Sequence, residues 1–377
     1  MKVFLQSIFA QILFTVYIAL RGYQALPPRK SVRIPFVAAI AGEVSLYFFG
    51  YLFRNELPDQ VMTTIQYICN TWYIASIYIV MMLVAFDMLR LTNKLFKIFP
   101  QWIHDHYTRI KRFLFAVVCA VTTGLMIWGY HNVTNPVVRN VYISIPKQAK
   151  GLDSMTIAMV SDIHLGEVVN RKLFEKQVAL INSLHPDMVV MVGDIIDYDM
   201  HYPKKEHMEE VFRQIVAPMG VYAVKGNHEY RANYIDKEKW LRSTGITLLT
   251  DSVAMPDSAF YLVGREDRVN VKRKSLNTLL TDLDKTLPVI VLDHQPEAWG
   301  EMLMNGIDLG LHGHTHDGQI WPYKYVIEAV HKHAYGYYRE GNTQFYTSAG
   351  IGVAGPPYRI GTRSEVILLH IHFTSSQ

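Results

Sequence analysis

Four apolar stretches fill the first third of the chain, roughly residues 3–20, 34–53, 64–89 and 113–130, and they constrain the fold more than any other feature. A helix of about 20 apolar residues is long enough to cross a bilayer. The competing reading is a soluble bundle of buried helices, but its helices would carry one apolar and one polar face. No strict amphipathic period is present here. Trp72, Tyr73, Tyr78 and Trp128 lie among the apolar residues, as membrane-anchoring aromatics do. The first stretch is not read as a cleaved leader, because no small-residue cleavage site follows it. Instead "LRGYQALPPRKSVRIP" runs straight into the second stretch. The sequence therefore predicts a four-helix transmembrane anchor over residues 1–135. Asp87, near the end of the third stretch, is expected to reach the interface or to pair within the bundle.

Lys and Arg are unevenly shared among the short loops. Arg21, Arg29, Lys30 and Arg33 follow the first stretch, and Arg90, Lys94, Lys97, Arg109, Lys111 and Arg112 follow the third. The loop after the second holds only Arg54, and the N-terminus only Lys2. The positive-inside rule places the first and third loops in the cytoplasm. Everything after Tyr130 is then expected outside it. The chain is an integral, multi-pass membrane protein on this reading, in contact with membrane lipids.

With 377 residues the chain is long enough for two units, and a formal net charge of +4 gives no basic stripe for nucleic acid. The two cysteines, Cys69 and Cys119, both sit in apolar stretches, which excludes a thiolate metal site or a disulfide framework further on.

From about Val141 the pattern changes. "MTIAMVSDIHLG", "MVVMVGDIID", "GVYAVKGNHEY", "LPVIVLDHQP" and "IDLGLHGHTH" read as short buried strands, and "RKLFEKQVALINSLHPD" has helical spacing closed by Pro186. Alternation of this kind predicts an α/β domain over 136–377, and such sheets bind ligands at the carboxyl ends of their strands. There the chemistry falls: Asp162 and His164, Asp194, Asn227 and His228, His294, then His314 and His316. Each alone has a structural explanation, as a cap, a turn or a satisfied histidine. Recurrence at five strand ends does not. On an extended backbone His314 and His316 point the same way and Thr315 points away. Oxygen and imidazole donors without thiolate suit divalent Mn, Fe or Zn. The donors suffice for two ions, which at roughly 3.5–4 Å apart clamp a phosphoryl group and activate a hydroxide.

These motifs, D-x-H, G-D-x-x-D, G-N-H-E, a later His and G-H-x-H in that order, resemble those of the calcineurin-like metallophosphoesterases over about residues 150–377. "GHTHDGQIWP" and "FYTSAGIGVAGPPYRIGTRSEVILLHI" look most like the membrane-associated or exported bacterial branch. There Gly-Gly-Gln usually follows the last ligand and Pro precedes the Glu; here Asp317 and Ser364 stand instead. The resemblance implies a two-sheet α/β sandwich flanked by helices. It also implies that Asp162, His164 and His316 hold one ion and Asn227, His294 and His314 the other, with Asp194 bridging. His228 would be the general acid, Asp197 and Glu229 would orient ligands, and His312 would be a neighbour only. "GIGVAG" satisfies a dinucleotide pattern, but Pro356, Pro357 and Gly361 leave no helix after it. It reads as a turn near the metals.

The function expected is metal-dependent hydrolysis of a phosphodiester or a lipid-linked phosphate at the membrane surface. Tyr202, Trp321, Tyr323, Tyr325, Tyr335, Tyr337 and Tyr338 flank the ligands and could form an apolar rim. An inverted topology would favour a cytoplasm-facing pyrophosphohydrolase of a nucleotide-linked lipid. A receptor or scaffold with a structural metal site is the non-enzyme alternative, which the open ligand set and His228 disfavour.

Overall fold

The computed structural model describes residues 2–53 and 56–374, with side chains described from Ala10 onward. The chain divides into two compact units, Met1–Gly129 and Tyr130–Gln377.

The first unit is helical: α1 (Lys2–Ala25), α2 (Lys30–Leu52), α3 (Asp59–Phe96), the short α4 (Gln101–Asp105) and α5 (Tyr107–Thr134), whose last turn belongs to the second unit. Among the described residues three helices, α2, α3 and α5, are long and apolar enough to cross a membrane, by length and composition only. That is one fewer than the four expected. The remaining stretch lies on α1, whose opening side chains fall outside the described residues. The helices also outrun the apolar stretches. At ~1.5 Å per residue the 38 residues of α3 extend well past a hydrocarbon core. Its basic residues Arg90 and Lys94 ride on the last turns, where they complement the helix dipole. Asp87 pairs within the unit: it accepts from Tyr17 Oη at 2.6 Å, from Arg21, and from Arg90 at 3.3 Å.

The second unit contains β1 (Val137–Ile145), β2 (Ser154–Val160), α6 (Arg171–Ser183), β3 (Met188–Val192), β4 (Val221–Val224), β5 (Thr247–Leu248) and β6 (Ser252–Ala254). Then come β7 (Tyr261–Gly264), β8 (Val289–Leu292), β9 (Leu309–His312), β10 (Gly336–Glu340), β11 (Thr343–Thr347) and β12 (Glu365–Phe373). They form two six-stranded sheets of order β1-β12-β2-β3-β4-β5 and β10-β11-β9-β8-β7-β6. Within them β2, β3, β4 and β5 run parallel, as do β7, β8, β9 and β11.

Side chains alternate across each strand and so feed different layers. Ile157, Met159 and Val190 of the first sheet pack with Leu262, Ile290 and Leu309 of the second, forming the core between the sheets. Ala158, Val189 and Met191 face the other way, onto Phe174, Val178 and Ile181 of α6. Val263, Val289 and Val291 cover the outer face of the second sheet with Leu276 and Met302. The result is a two-sheet α/β sandwich flanked by helices. Burial on both faces explains why these strands read as continuous apolar runs rather than alternating ones. Asn170 caps α6, its side chain accepting from the Leu173 N–H at 3.1 Å.

Candidate metal centre

The carboxyl ends of β2, β3, β4, β8 and β9 converge, and all but β8 end in a left-handed or glycine-bearing turn. Asp162 (φ 51°), His164 (φ 54°), Asp194 (φ 50°), His314 (φ 73°) and His316 (φ 53°) all adopt positive φ, a conformation that costs non-glycine residues free energy. β9 stops at His312, so His314 and His316 are not on an extended strand, contrary to the spacing argument. A looped backbone brings them to the same place by another route. Thr315 does turn away, donating to the Ala334 carbonyl at 2.7 Å. Gly313 is required where it stands: a Cβ there would lie 2.5 Å from Asp162 Oδ2. A Cβ on Gly226 would overlap Asp194 Oδ1.

Two groups of donor atoms result, Asp162–His164–His316 and Asp194–His294–His314, each compact enough to hold one ion. Asp194 Oδ2 lies 3.2 Å from His294 Nε2 and 3.8 Å from His164 Nε2, between the two groups. A third combination, His164–Asp194–His228, is equally compact. Asn227 follows Gly226 at the same strand end, and its buried Oδ1 has no partner among the described residues. His294 donates from Nδ1 to the Val192 carbonyl at 2.7 Å, which aims Nε2 at the Asp194 carboxylate. His164 Nε2 and His316 Nε2 stand 3.1 Å apart. Carboxylate oxygens and imidazole nitrogens converge, and Asn227 Oδ1 and His294 Nε2 are buried there without a hydrogen-bond partner among the described residues, so the residues present fit a pair of metal ions.

The electrostatics divide the imidazoles: burial opposes charge on His164, His294, His314 and His316, yet Asp197 and Asp194 hold His164 above its usual value and Asp194 holds His294 well above it. Burial pushes the His314 imidazole down to about 3 and that of His316 down as well, which leaves both neutral with lone pairs free. Burial opposes ionisation of Asp194, but His294 and His164 hold its carboxyl well below the usual range. Asp197 joins two rings, 3.2 Å from His164 Nδ1 and 3.1 Å from His228 Nδ1. Those bonds, acting against burial, keep it ionised. His228 Nε2 is left facing the centre, 4.0 Å from Asp194 Oδ2. Glu229 accepts from the N–H groups of Asp194 (3.0 Å), Gly226 (2.7 Å) and Ile196 (2.8 Å), pinning two strand ends together.

Residues 155–318 match the calcineurin-like phosphoesterase family model. A metallophosphoesterase-family protein of Caenorhabditis elegans is 28% identical over 85% of this chain and 70% of its own length. A metallophosphoesterase of Campylobacter jejuni is 29% identical over 86% of this chain and 88% of its own. A transmembrane protein with a metallophosphoesterase domain from Danio rerio is 32% identical over 65% of this chain, which spans 60% of that protein. The chain is a calcineurin-like metallophosphoesterase. It is accordingly a metal-dependent phosphoester hydrolase, of a family that uses two divalent ions. Its relatives come from animals as well as bacteria, so the narrower bacterial branch does not follow from them.

Around this metallophosphoesterase site the structure adds residues that pattern reading passed over. Arg359 is fully buried and donates to the Gly352 carbonyl from Nη2 at 2.8 Å and to the His316 carbonyl from Nη1 at 3.2 Å. Its Nη2 also lies 3.2 Å from His316 Nδ1. Lys237, also fully buried, donates to the His228 carbonyl at 2.7 Å. Neither belongs to a recognisable motif, and nothing in the local sequence signals either. The "GIGVAG" segment is indeed a turn against the site, Ile351 donating to the Ser161 carbonyl and Gly352 to that of Asp162, each at 3.0 Å. Of the expected aromatic rim, Trp321, Tyr323, Tyr325 and Tyr337 are exposed. Tyr335 is not part of it, since its hydroxyl turns inward to Glu365 at 2.9 Å.

Proposed function

We propose that this metallophosphoesterase hydrolyses a phosphodiester or a lipid-linked phosphate at a membrane surface, with its catalytic unit outside the cytoplasm. The observation that carries the lipid preference is the segment directly after His316. Trp321, Tyr323, Tyr325, Val326 and Val330 are all exposed there, along and just before a short helix, Lys324–Val330. Contiguous exposed apolar and aromatic side chains beside a site mark a surface for lipid or for another apolar partner.

Asp162, His164 and His316 would hold one ion, and Asn227, His294 and His314 the other, with Asp194 shared. Bound there, two divalent ions supply positive charge for the phosphoryl oxygens and lower the pKa of water into the neutral range. The remaining work falls to the chain itself. His228 would give a proton from Nε2 to the leaving alkoxide, with Asp197 at its Nδ1 orienting the ring. Asn227 contributes a neutral oxygen, which limits the negative charge facing a phosphate. Glu229 and Gly226 keep the strand ends close enough for all these side chains to converge.

The test uses the purified full chain with Mn²⁺, comparing a phosphatidyl phosphodiester in mixed micelles with a water-soluble chromogenic diester. A higher kcat/KM for the lipid, lost in Trp321→Ala and Val330→Ser, is expected. Equal efficiency on both, unchanged by those substitutions, overturns the lipid reading. Sidedness rests on the ten Lys and Arg residues of the first and third loops. Protease added to spheroplasts should digest the catalytic unit while a reporter near Lys94 stays protected. The reverse pattern would put the site in the cytoplasm, facing nucleotide-linked lipids.

A further inference from the structure

The helical unit contains a half-open cavity of about 1340 Å³, larger than the ~300–1,000 Å³ pockets that take drug-sized ligands. Its walls come from α1, α2, α3 and α5, with Phe36, Ile40, Leu83 and Leu114 among an almost wholly apolar lining. One end differs, where Arg21, Arg33, Arg90 and Lys111 line it. Asp87 accepts from both Arg21 and Arg90. Arg90 and Lys111 in turn lie over the same Tyr107 ring, 5.9 and 5.7 Å from its centroid. Arg33 stands 4.3 Å over the Tyr23 ring, and its Nε is buried without a hydrogen-bond partner among the described residues. Four cations therefore meet one carboxylate at this end. The other acid in the lining, Glu43, is ten residues along α2 from Arg33, ~15 Å away by helical rise.

A cavity this apolar does not hold ordered water, and a surplus of cations at its mouth calls for an anion. We propose that it binds an anionic lipid, with hydrocarbon chains between the helices and the phosphate on Arg33, Arg90 and Lys111. Arg21 gives Nη2 to Asp87 and Nη1 to Gln24 and contributes charge rather than a direct contact, whereas Arg90 gives Asp87 its Nη1 alone among the described residues. A free phosphate would satisfy the cations but leave the apolar volume unfilled, so the occupant is a lipid. The cavity lies within the first unit and uses none of the candidate catalytic residues. The bound lipid is therefore a resident ligand, and the proposal stands or falls apart from the catalytic reading.

The test places the full chain in nanodiscs of phosphatidylcholine containing a minor fraction of phosphatidic acid. Lipid retained after detergent extraction is then quantified by mass spectrometry. Phosphatidic acid should be retained over phosphatidylcholine. Arg33→Gln and Lys111→Gln should each lower its retention about five-fold, the effect of one cation on an anionic lipid. Ala39→Trp, which fills the cavity and keeps every cation, should lower it too, whereas Lys94→Gln, outside the cavity, should not. Hydrolysis of a soluble diester, unchanged in all four variants, shows the catalytic unit intact, and an unchanged helical circular-dichroism signal shows the helical unit folded. Equal retention of the two lipids, or equal loss with Lys94→Gln, would reduce the effect to general surface charge. Displacement by inorganic phosphate alone would make the cluster a phosphate site. Either result overturns the proposal.

Discussion

The two donor groups of the metal centre are held in place by different means. Around Asp162, His164 and His316 the supports are side chains: Asp197 meets His164 Nδ1 at 3.2 Å and Arg359 meets His316 Nδ1 at 3.2 Å. The Asp197 side chain is 34% exposed. Around Asp194 and His294 the supports are buried, one a backbone carbonyl and one a carboxylate. The Val192 carbonyl takes the His294 Nδ1–H at 2.7 Å, and Glu229, 1% exposed, fixes the Asp194 N–H. The supports of the second group are shut off from solvent, whereas the first group depends on a part-exposed carboxylate that water can reach. The first group is thus the adjustable half of the centre and the second its rigid half.

The largest effect should come from the residue common to both. Asp194→Asn removes the one carboxylate among the described residues within 4 Å of both His164 and His294. Activity should fall to background and bound metal should be lost from both halves. Metal analysis beside a diester assay checks this, and full activity with two ions bound would refute the shared role. Next comes a residue of neither half. His228→Ala should retain metal while turnover drops roughly 10²–10⁴-fold, the range for a missing general acid. The loss should shrink for substrates with good leaving groups, which need no proton. Metal loss in step with activity would make His228 a ligand, in line with its compact grouping with His164 and Asp194.

Asp197→Asn sharpens the contrast most directly. Removing a carboxylate that orients a ligating histidine weakens metal binding by roughly 10–100-fold. Only one ion of the pair should weaken, as seen in a titration of the metal-free protein. Equal weakening of both would erase the distinction between the halves. Turnover should fall as well, because Asp197 also holds His228.

How far the sequence carried depended on whether an interaction is local. The strands β2, β3, β4, β8 and β9 were legible because burial on both faces demands unbroken apolar runs, and their ends were legible because polar donors interrupt those runs. The helix ends were less so. α3 continues through Arg90 and Lys94, since a helix does not stop where its hydropathy does. The left-handed backbone at His314 and His316 was hidden, because period-2 spacing describes only extended chain. Arg359 and Lys237 could not be read at all. Each acts on residues brought near by folding, Arg359 on a segment 43 residues earlier and Lys237 on one 9 earlier.

The smallest effect lies at acid pH, in a histidine that extends the rigid half. His312 donates from Nδ1 to the Asp293 carbonyl at 2.6 Å and is 1% exposed. Its Nε2 has no partner among the described residues, and burial pushes the imidazole down to about 4. An unfolded histidine titrates near 6.5, so between about 6.5 and 4 the unfolded chain binds the extra proton and the folded one does not. Stability from this group is complete above that window and is lost as pH falls through it, by up to about 3 kcal/mol. Asp317, its carboxyl raised to about 6 by burial, works the opposite way, because its folded form gains the proton first on acidification. A single pH curve therefore mixes the two signs, and the informative quantity is a difference. In metal-free protein, the midpoint of wild type minus that of His312→Phe should fall between pH 7 and pH 4.5, since phenylalanine fills the space but cannot charge. A difference that stays constant with pH would mean that His312 is not held neutral, and that the half with buried supports is less rigid than its geometry indicates.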